Sequence, residues 1–135
     1  MFMPTKRTVI AVIDDNVGVL GSMSRLLSAF GYDTELYASA KEFLDNALTS
    51  EATCLIIDIH LETSCGIEFA KHLVKAGFTV PIIFMTADDR ESIKRRAVET
   101  GCAAYLLKPF TANALIEAVI NASSRSAAPR PPSMQ

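Results

Sequence analysis

The sequence has no tryptophan and only three cysteines, Cys54, Cys65 and Cys102. An odd number without a CxxC or Cys/His spacing argues against a disulfide framework and a zinc site. It reads as reduced thiols in a cytoplasmic protein. No apolar stretch approaches the roughly 20 residues needed to span a bilayer. The N-terminal run Met1-Phe2-Met3-Pro4-Thr5-Lys6-Arg7 shows no signal-peptide core before its basic residues. Charge of one sign is also scarce. Thirteen Lys and Arg against fifteen Asp and Glu leave a net charge of −2, too balanced for an electrostatic grip on nucleic acid or membranes. What remains is a chain of 135 residues, half of them apolar, which fits one domain around a single well-developed core.

Apolar strand-like runs alternate with amphipathic helical segments, five times over. Strands are expected at 8–14, 33–37, 54–58, 80–86 and 104–107. Several are near-continuous hydrophobic runs, as parallel strands covered on both faces require. Between them, Leu20, Met23, Leu27 and Phe30 repeat at helical spacing, as do Ile67, Ala70 and Val74. Gly31, Gly77 and Gly101 fall where three helices should end and offer left-handed C-caps. Ser39 followed by Glu42 forms a capping box before Phe43 and Leu44. The alternation implies right-handed βαβ crossovers and an open α/β sheet. The segment 88–100 stands apart. Only Ile93, Ala97 and Val98 give it an apolar stripe, and Lys94-Arg95-Arg96 is basic, so it should be the most weakly anchored helix. The basic run reads first as a solvated face. The ordered domain is expected over 6–122. Residues 123–135, with Ala127-Ala128-Pro129-Arg130-Pro131-Pro132, have linker composition and should form a disordered tail or interdomain linker.

The informative residues are the polar groups that close these strands. Val9-Ile10-Ala11-Val12-Ile13 runs into Asp14-Asp15, and Cys54-Leu55-Ile56-Ile57 into Asp58. Thr86 follows Ile82-Ile83-Phe84-Met85, and Lys108 follows Tyr105-Leu106-Leu107 just before Pro109. Open α/β sheets place their chemistry outside the carboxyl edge. Each residue alone has a structural reading: a helix cap at Asp14-Asp15, a turn at Asp58, a cap at Thr86, a snorkelling Lys108. Together, each on a strand end, they point to a site. Two carboxylates about 5 Å apart repel by roughly 3 kcal/mol at an effective dielectric near 20. Three in one pocket call for a cation, and a hard dication such as Mg²⁺ (or Mn²⁺) suits oxygen ligands and bridges them to phosphate. An ionised aspartate can itself accept a phosphoryl group.

The pattern is an acidic pair after strand one, Asp after strand three, Thr-Ala after strand four and Lys-Pro after strand five. In this the chain resembles the receiver domain of two-component response regulators, over about residues 6–122. The resemblance implies a doubly wound five-stranded parallel sheet of order 2-1-3-4-5. It implies that Asp58 is the phosphoacceptor for a histidine kinase or phosphotransfer protein. Asp15, Asp58 and the backbone carbonyl of His60 would ligate Mg²⁺, with Asp14 supporting the metal site. Lys108, Thr86 and the Ala87 amide would hold phosphoryl oxygens. Tyr105 would be an aromatic switch, and a cis peptide is frequent at the position of Lys108-Pro109. Phosphorylation would change the face made by the fourth helix, fifth strand and fifth helix, for homodimerisation or effector docking. Such a domain is a phosphoacceptor rather than an enzyme with an external substrate, and it touches neither nucleic acid nor membrane directly.

One stretch departs from the family. Receivers usually carry Met-Pro or Leu-Pro after the phosphoacceptor, then Asp-Gly or Ser-Gly. Here Leu61 and Gly66 match, but Glu62 replaces proline and Cys65 replaces the polar residue before glycine. Losing proline enlarges the conformations open to the loop beside the metal. This departure supports the alternative of an interaction module independent of phosphorylation. A metal-dependent phosphatase or nucleotide-binding enzyme is disfavoured, because the sequence has no GxxxxGK[ST] loop and no Asp-x-Asp. His60 is expected to expose its ring and contribute only its carbonyl, and His72 to lie on a helix surface.

Overall fold

The computed structural model describes residues 7–62 and 64–127. Five strands alternate with five helices: β1 (Val9–Ile13), α1 (Val17–Ala29), β2 (Asp33–Tyr37), α2 (Ala40–Asn46), β3 (Cys54–Asp58), α3 (Gly66–Lys75), β4 (Ile82–Thr86), α4 (Glu91–Glu99), β5 (Ala104–Leu107) and α5 (Ala112–Ala127). All pairings are parallel and the sheet order is β2-β1-β3-β4-β5. Strand parity sorts the side chains into two layers. Ala11, Ile13, Leu55, Ile57, Ile82 and Phe84 face α2, α3 and α4, whereas Ile10, Val12, Cys54, Ile56, Ile83 and Met85 face α1 and α5. β1, β3 and β4 are buried along their whole length, as their unbroken apolar sequence requires. β2 is an outer strand, and there Asp33 and Leu36 are exposed.

Element boundaries follow backbone chemistry. Pro81 has no N–H to give, so β4 begins at Ile82, although the Pro81 carbonyl still accepts from the Leu55 amide at 2.9 Å. Gly31, Gly77 and Gly101 take φ values of 94°, 99° and 80°, and they end α1, α3 and α4 as left-handed caps. Ser39 caps α2 by accepting from the Glu42 amide, and the Glu42 carboxylate accepts from Ala38, one residue upstream of the expected box partner. Asn16, rather than the acidic pair, caps α1. α5 continues to Ala127, through the first residues expected to be tail. Within it Ala122 is fully buried, and the first helix breaker beyond is Pro129. Residues 128–135 lie outside the described residues.

The core beneath α2 and α3 centres on Phe43, whose ring meets Tyr37, Phe69 and Phe78 at centroid distances of 5.3, 6.1 and 5.8 Å. Truncating a buried phenylalanine costs about 3–5 kcal/mol. Three residues of the expected apolar stripes, Phe30, Val74 and Val98, are exposed instead. α4 therefore buries only Ile93 and Ala97, against five residues in α3. It also starts at Glu91 rather than 88, because 88–90 fold into a turn of their own. Among the described residues no helix is long and apolar enough to cross a membrane.

Candidate functional site

The carboxyl ends of β1, β3, β4 and β5 converge as the strand endings predict. Asp14, Asp15 and Asp58 can each place one oxygen so that all three lie within 4.8 Å of one another. Asp14 and Asp58 are buried and Asp15 half-buried. Lys108 reaches in from the end of β5, donating from Nζ to Asp14 Oδ2 at 3.1 Å and to Asp58 Oδ2 at 3.5 Å. The Lys108–Pro109 peptide is cis.

The structural and functional readings of these aspartates prove compatible, because a carboxylate has two oxygens. Asp14 Oδ1 accepts from the Asn16 amide at 2.8 Å and Asp58 Oδ1 from the His60 amide at 3.1 Å, each closing a local turn. The Oδ2 atoms face the cluster. Burial, and then the negative charge of Asp14, push the Asp58 carboxyl above its ordinary value, against the pull of Lys108 and the His60 amide. One lysine does not neutralise three acids. The donor set is hard oxygen throughout, which fits a divalent cation of the Mg²⁺ or Mn²⁺ kind.

Close packing fixes the floor of this pocket. Gly66 opens α3 directly beneath β3, and a Cβ there would lie 2.3 Å from the Asp58 carbonyl oxygen and 2.9 Å from Ile59 Cα. No other residue fits without moving that backbone. The Gly66 amide donates to the Ile59 carbonyl at 2.7 Å, and His60 bridges to Cys65, so the loop closes without the proline. Glu62 is exposed, Cys65 is half-buried at the N-cap of α3 with no side-chain cap bond, and Thr63 lies outside the described residues.

On the β4 side Thr86 is fully buried and its Oγ1 accepts from the Asp88 amide at 3.0 Å. That leaves the hydroxyl proton as the group it can direct at an anion. Ala87 follows it, exposed. Tyr105 is half-buried against the α4-side layer, and its hydroxyl donates to the Asp88 carbonyl at 3.2 Å. Burial, then the charges of Asp88, Glu91 and Asp89, raise its phenol above the ordinary value. His72 lies on the exposed face of α3.

Sequence reasoning missed Asp88 and Arg90, and it missed what the His60 ring does. Arg90 holds the Asp88 carboxylate in a fork, with Nε at 2.9 and 3.1 Å and Nη2 at 2.6 Å. His60 Nε2 lies 3.0 Å from Asp88 Oδ2. The Arg90 side-chain bonds, and then its amide, hold the Asp88 carboxyl well below the usual carboxylate range. The signal is Asp88-Asp89-Arg90 two residues past a strand end, an Asx turn with its own counter-ion, which the sequence pattern assigns to the first turn of a helix.

Comparison with known proteins agrees with this geometry. Residues 10–120 match the response regulator receiver domain family. The response regulator protein TodT of Pseudomonas putida is 30% identical over 133 residues, covering 95% of this chain and 59% of that protein. The transcriptional regulatory protein FixJ of Azorhizobium caulinodans is 33% identical over 116 residues, covering 86% of this chain and 55% of that protein. The chain spans about half the length of the curated relatives it matches. The crystal structure of a response regulator receiver protein from Pseudoalteromonas atlantica superposes with a TM-score of 0.80 at 29% identity, over 87% of this chain and 98% of that one. Fold, acidic cluster and sequence match together place this chain among the receiver domains of two-component response regulators.

Proposed function

We propose that Asp58 accepts a phosphoryl group from a histidine kinase or phosphotransfer protein, and that the domain then switches its α4–β5–α5 face for homodimerisation or effector docking. The observation that carries this reading is the buried, under-neutralised cluster of Asp14, Asp15 and Asp58 with Lys108 at its rim. An Asp58 oxygen attacks phosphorus as the bond to the donor nitrogen breaks, which leaves an aspartyl phosphate on the chain and the proton-accepting imidazole on the donor. Catalysis of such a transfer is largely positioning and charge neutralisation. Mg²⁺, held by Asp15, Asp58 and the His60 carbonyl with Asp14 in support, would supply the positive charge that lets a phosphoryl group approach three acids. Lys108 balances a phosphoryl oxygen on the β5 side. The Thr86 hydroxyl and the Ala87 amide offer donors to another.

The output follows from where Thr86 and Tyr105 sit. Tyr105 packs against the layer that holds α4, and Thr86 shares strand parity with Ile82 and Phe84 of that layer, where α4 buries only Ile93 and Ala97. An added charge of about −2 that draws Thr86 inward acts on an element of low local stability. The alternative of a phosphorylation-independent module rests on Glu62 and Cys65, yet the loop that carries them stays closed and every acid of the cluster is present.

The test is intact-protein mass spectrometry after incubation with a small acyl phosphate. The wild type should gain one phosphoryl group in Mg²⁺ and none in chelator, and Asp58→Asn should gain none. An adduct independent of Mg²⁺, or equal in the variant, would overturn the proposal.

A further inference from the structure

Asp88 bonds through every polar group it has. Its carboxylate, 15% exposed, takes the Arg90 fork and the His60 ring. Its amide donates to Thr86 Oγ1, and its carbonyl accepts from the Tyr105 hydroxyl. His60 in turn donates its amide to Asp58 Oδ1. A continuous chain of hydrogen bonds thus leads from the phosphoacceptor carboxylate, through the His60 backbone and ring, to Asp88 and on to Tyr105. It crosses the gap between the β3–α3 and β4–α4 loops on the outside of the pocket. Asp88 Oδ1 also closes an Asx turn by accepting from the Arg90 amide at 3.1 Å, which fixes the side chain on its own loop. The α4 N-cap is Arg90, which forms no side-chain cap bond, so the Asp88 carboxylate is not spent on capping the helix.

We propose that Asp88 is a positioning residue: tied to the β3–α3 loop by His60 and clamped by Arg90, it keeps Tyr105 docked before any phosphoryl group arrives. This rests on the reading of Asp58 as the phosphoacceptor and of Tyr105 as the reporter of the output face. Charge-assisted and bidentate bonds are the strong ones, and Arg90 supplies both to one carboxylate. With its side chain fixed, the Asp88 backbone presents a lone pair to Tyr105 and a proton to Thr86 at the same time. The Thr86 hydroxyl is left with its own proton to direct. In this chain phosphorylation therefore acts on a tyrosine already in place, and the switch lies in how firmly α4 packs over it.

The experiment is ¹⁹F NMR of the 135-residue chain in which Tyr32, Tyr37 and Tyr105 carry 3-fluorotyrosine, with the Tyr105 signal assigned by Tyr105→Phe. In free wild type the Tyr105 signal should stand apart from its position in denaturant. It should move little when Mg²⁺ and beryllium fluoride are added. Asp88→Ala should shift the free-state signal toward the denatured position and restore a large response to beryllium fluoride. Asp88→Asn, which keeps an acceptor for Arg90 and His60, should recover most of the wild-type shift. His60→Ala, on an exposed ring, should give an intermediate shift that does not add to that of Asp88→Ala. An unchanged Tyr105 signal in free Asp88→Ala overturns the tie, and so does full additivity with His60→Ala. A wild type that takes up no phosphoryl group overturns the phosphoacceptor reading instead, and the free-state comparison still judges the tie.

Discussion

Asp58 closes β3 and Asp88 lies just past the end of the adjacent parallel strand β4, and their surroundings treat the same side chain in opposite ways. Asp58 is buried in a cluster of acids with a single lysine at 3.5 Å, and its carboxyl is pushed up. Asp88 has an arginine fork and a histidine ring, and its carboxyl is pulled down. An acid left short of positive charge invites a ligand that brings it. An acid with its counter-ions already in place is a joint. The pair separates the part of the edge that reacts from the part that holds.

The largest effect expected on this contrast comes from beneath it. Gly66→Ala pushes a methyl group into the Asp58 carbonyl, and overpacking of this sort costs about 3 kcal/mol. Urea denaturation should show the loss, together with weakened Mg²⁺ binding. Unchanged stability would mean that β3 yields easily at its end.

Asp58→Asn is the next largest. Burial and the negative charge of Asp14 outweigh the pull of Lys108 on the ionised Asp58 carboxyl, so removing its charge should raise stability in metal-free solution at neutral pH. The variant should melt higher than wild type in chelator. Mg²⁺ at ten times its dissociation constant should then stabilise wild type by about 1.4 kcal/mol and the variant by much less. A variant that melts lower in chelator would show that Asp58 is already neutralised by its neighbours.

Acid titration sharpens the contrast without mutation. The folded state binds the Asp58 proton more tightly than the unfolded state does. Its ionisation therefore subtracts stability as pH rises from about 3.8 through the raised folded value. The stabilising contribution of Asp88 is present above 3.8 and is lost only as pH falls through its lower folded value. Carboxyl ¹³C shifts should place the two midpoints on opposite sides of 3.8. Midpoints on the same side would erase the distinction. Lys41→Ala, which removes an exposed pair with Asp45 on α2, should change neither titration nor melting temperature detectably.

The fold was legible because parallel strands covered on both faces must be apolar throughout, and β1, β3 and β4 are. The cluster was legible because each of its members ends a strand, where periodicity and chemistry are read from the same few residues. What escaped was side-chain pairing across loops. His60 looked like an exposed ring with a useful carbonyl, and over half of that side chain is indeed exposed, at 54%. Its partner lies 28 residues away, and only the β3–β4 pairing brings them together. The stripes of α1, α3 and α4 failed at their last apolar residues, Phe30, Val74 and Val98, because helical spacing alone does not reveal where a helix leaves its sheet.

The outer position of β2 bears on how copies of this chain behave in a crowd. The three strands with the most aggregation-prone sequence, VIAVI, CLIID and IIFMT, are all interior. The edge strand reads DTELY, with Asp33 exposed and Glu35 held by Tyr37, Ser50 and the Glu51 amide. A strand arriving to extend the sheet there meets the Asp33–Arg7 ion pair and the held Glu35 carboxylate rather than a bare apolar ladder. At the other edge β5 is only four residues long and stops at Lys108-Pro109. Short and charged borders of this kind keep the folded sheet from templating a cross-β stack.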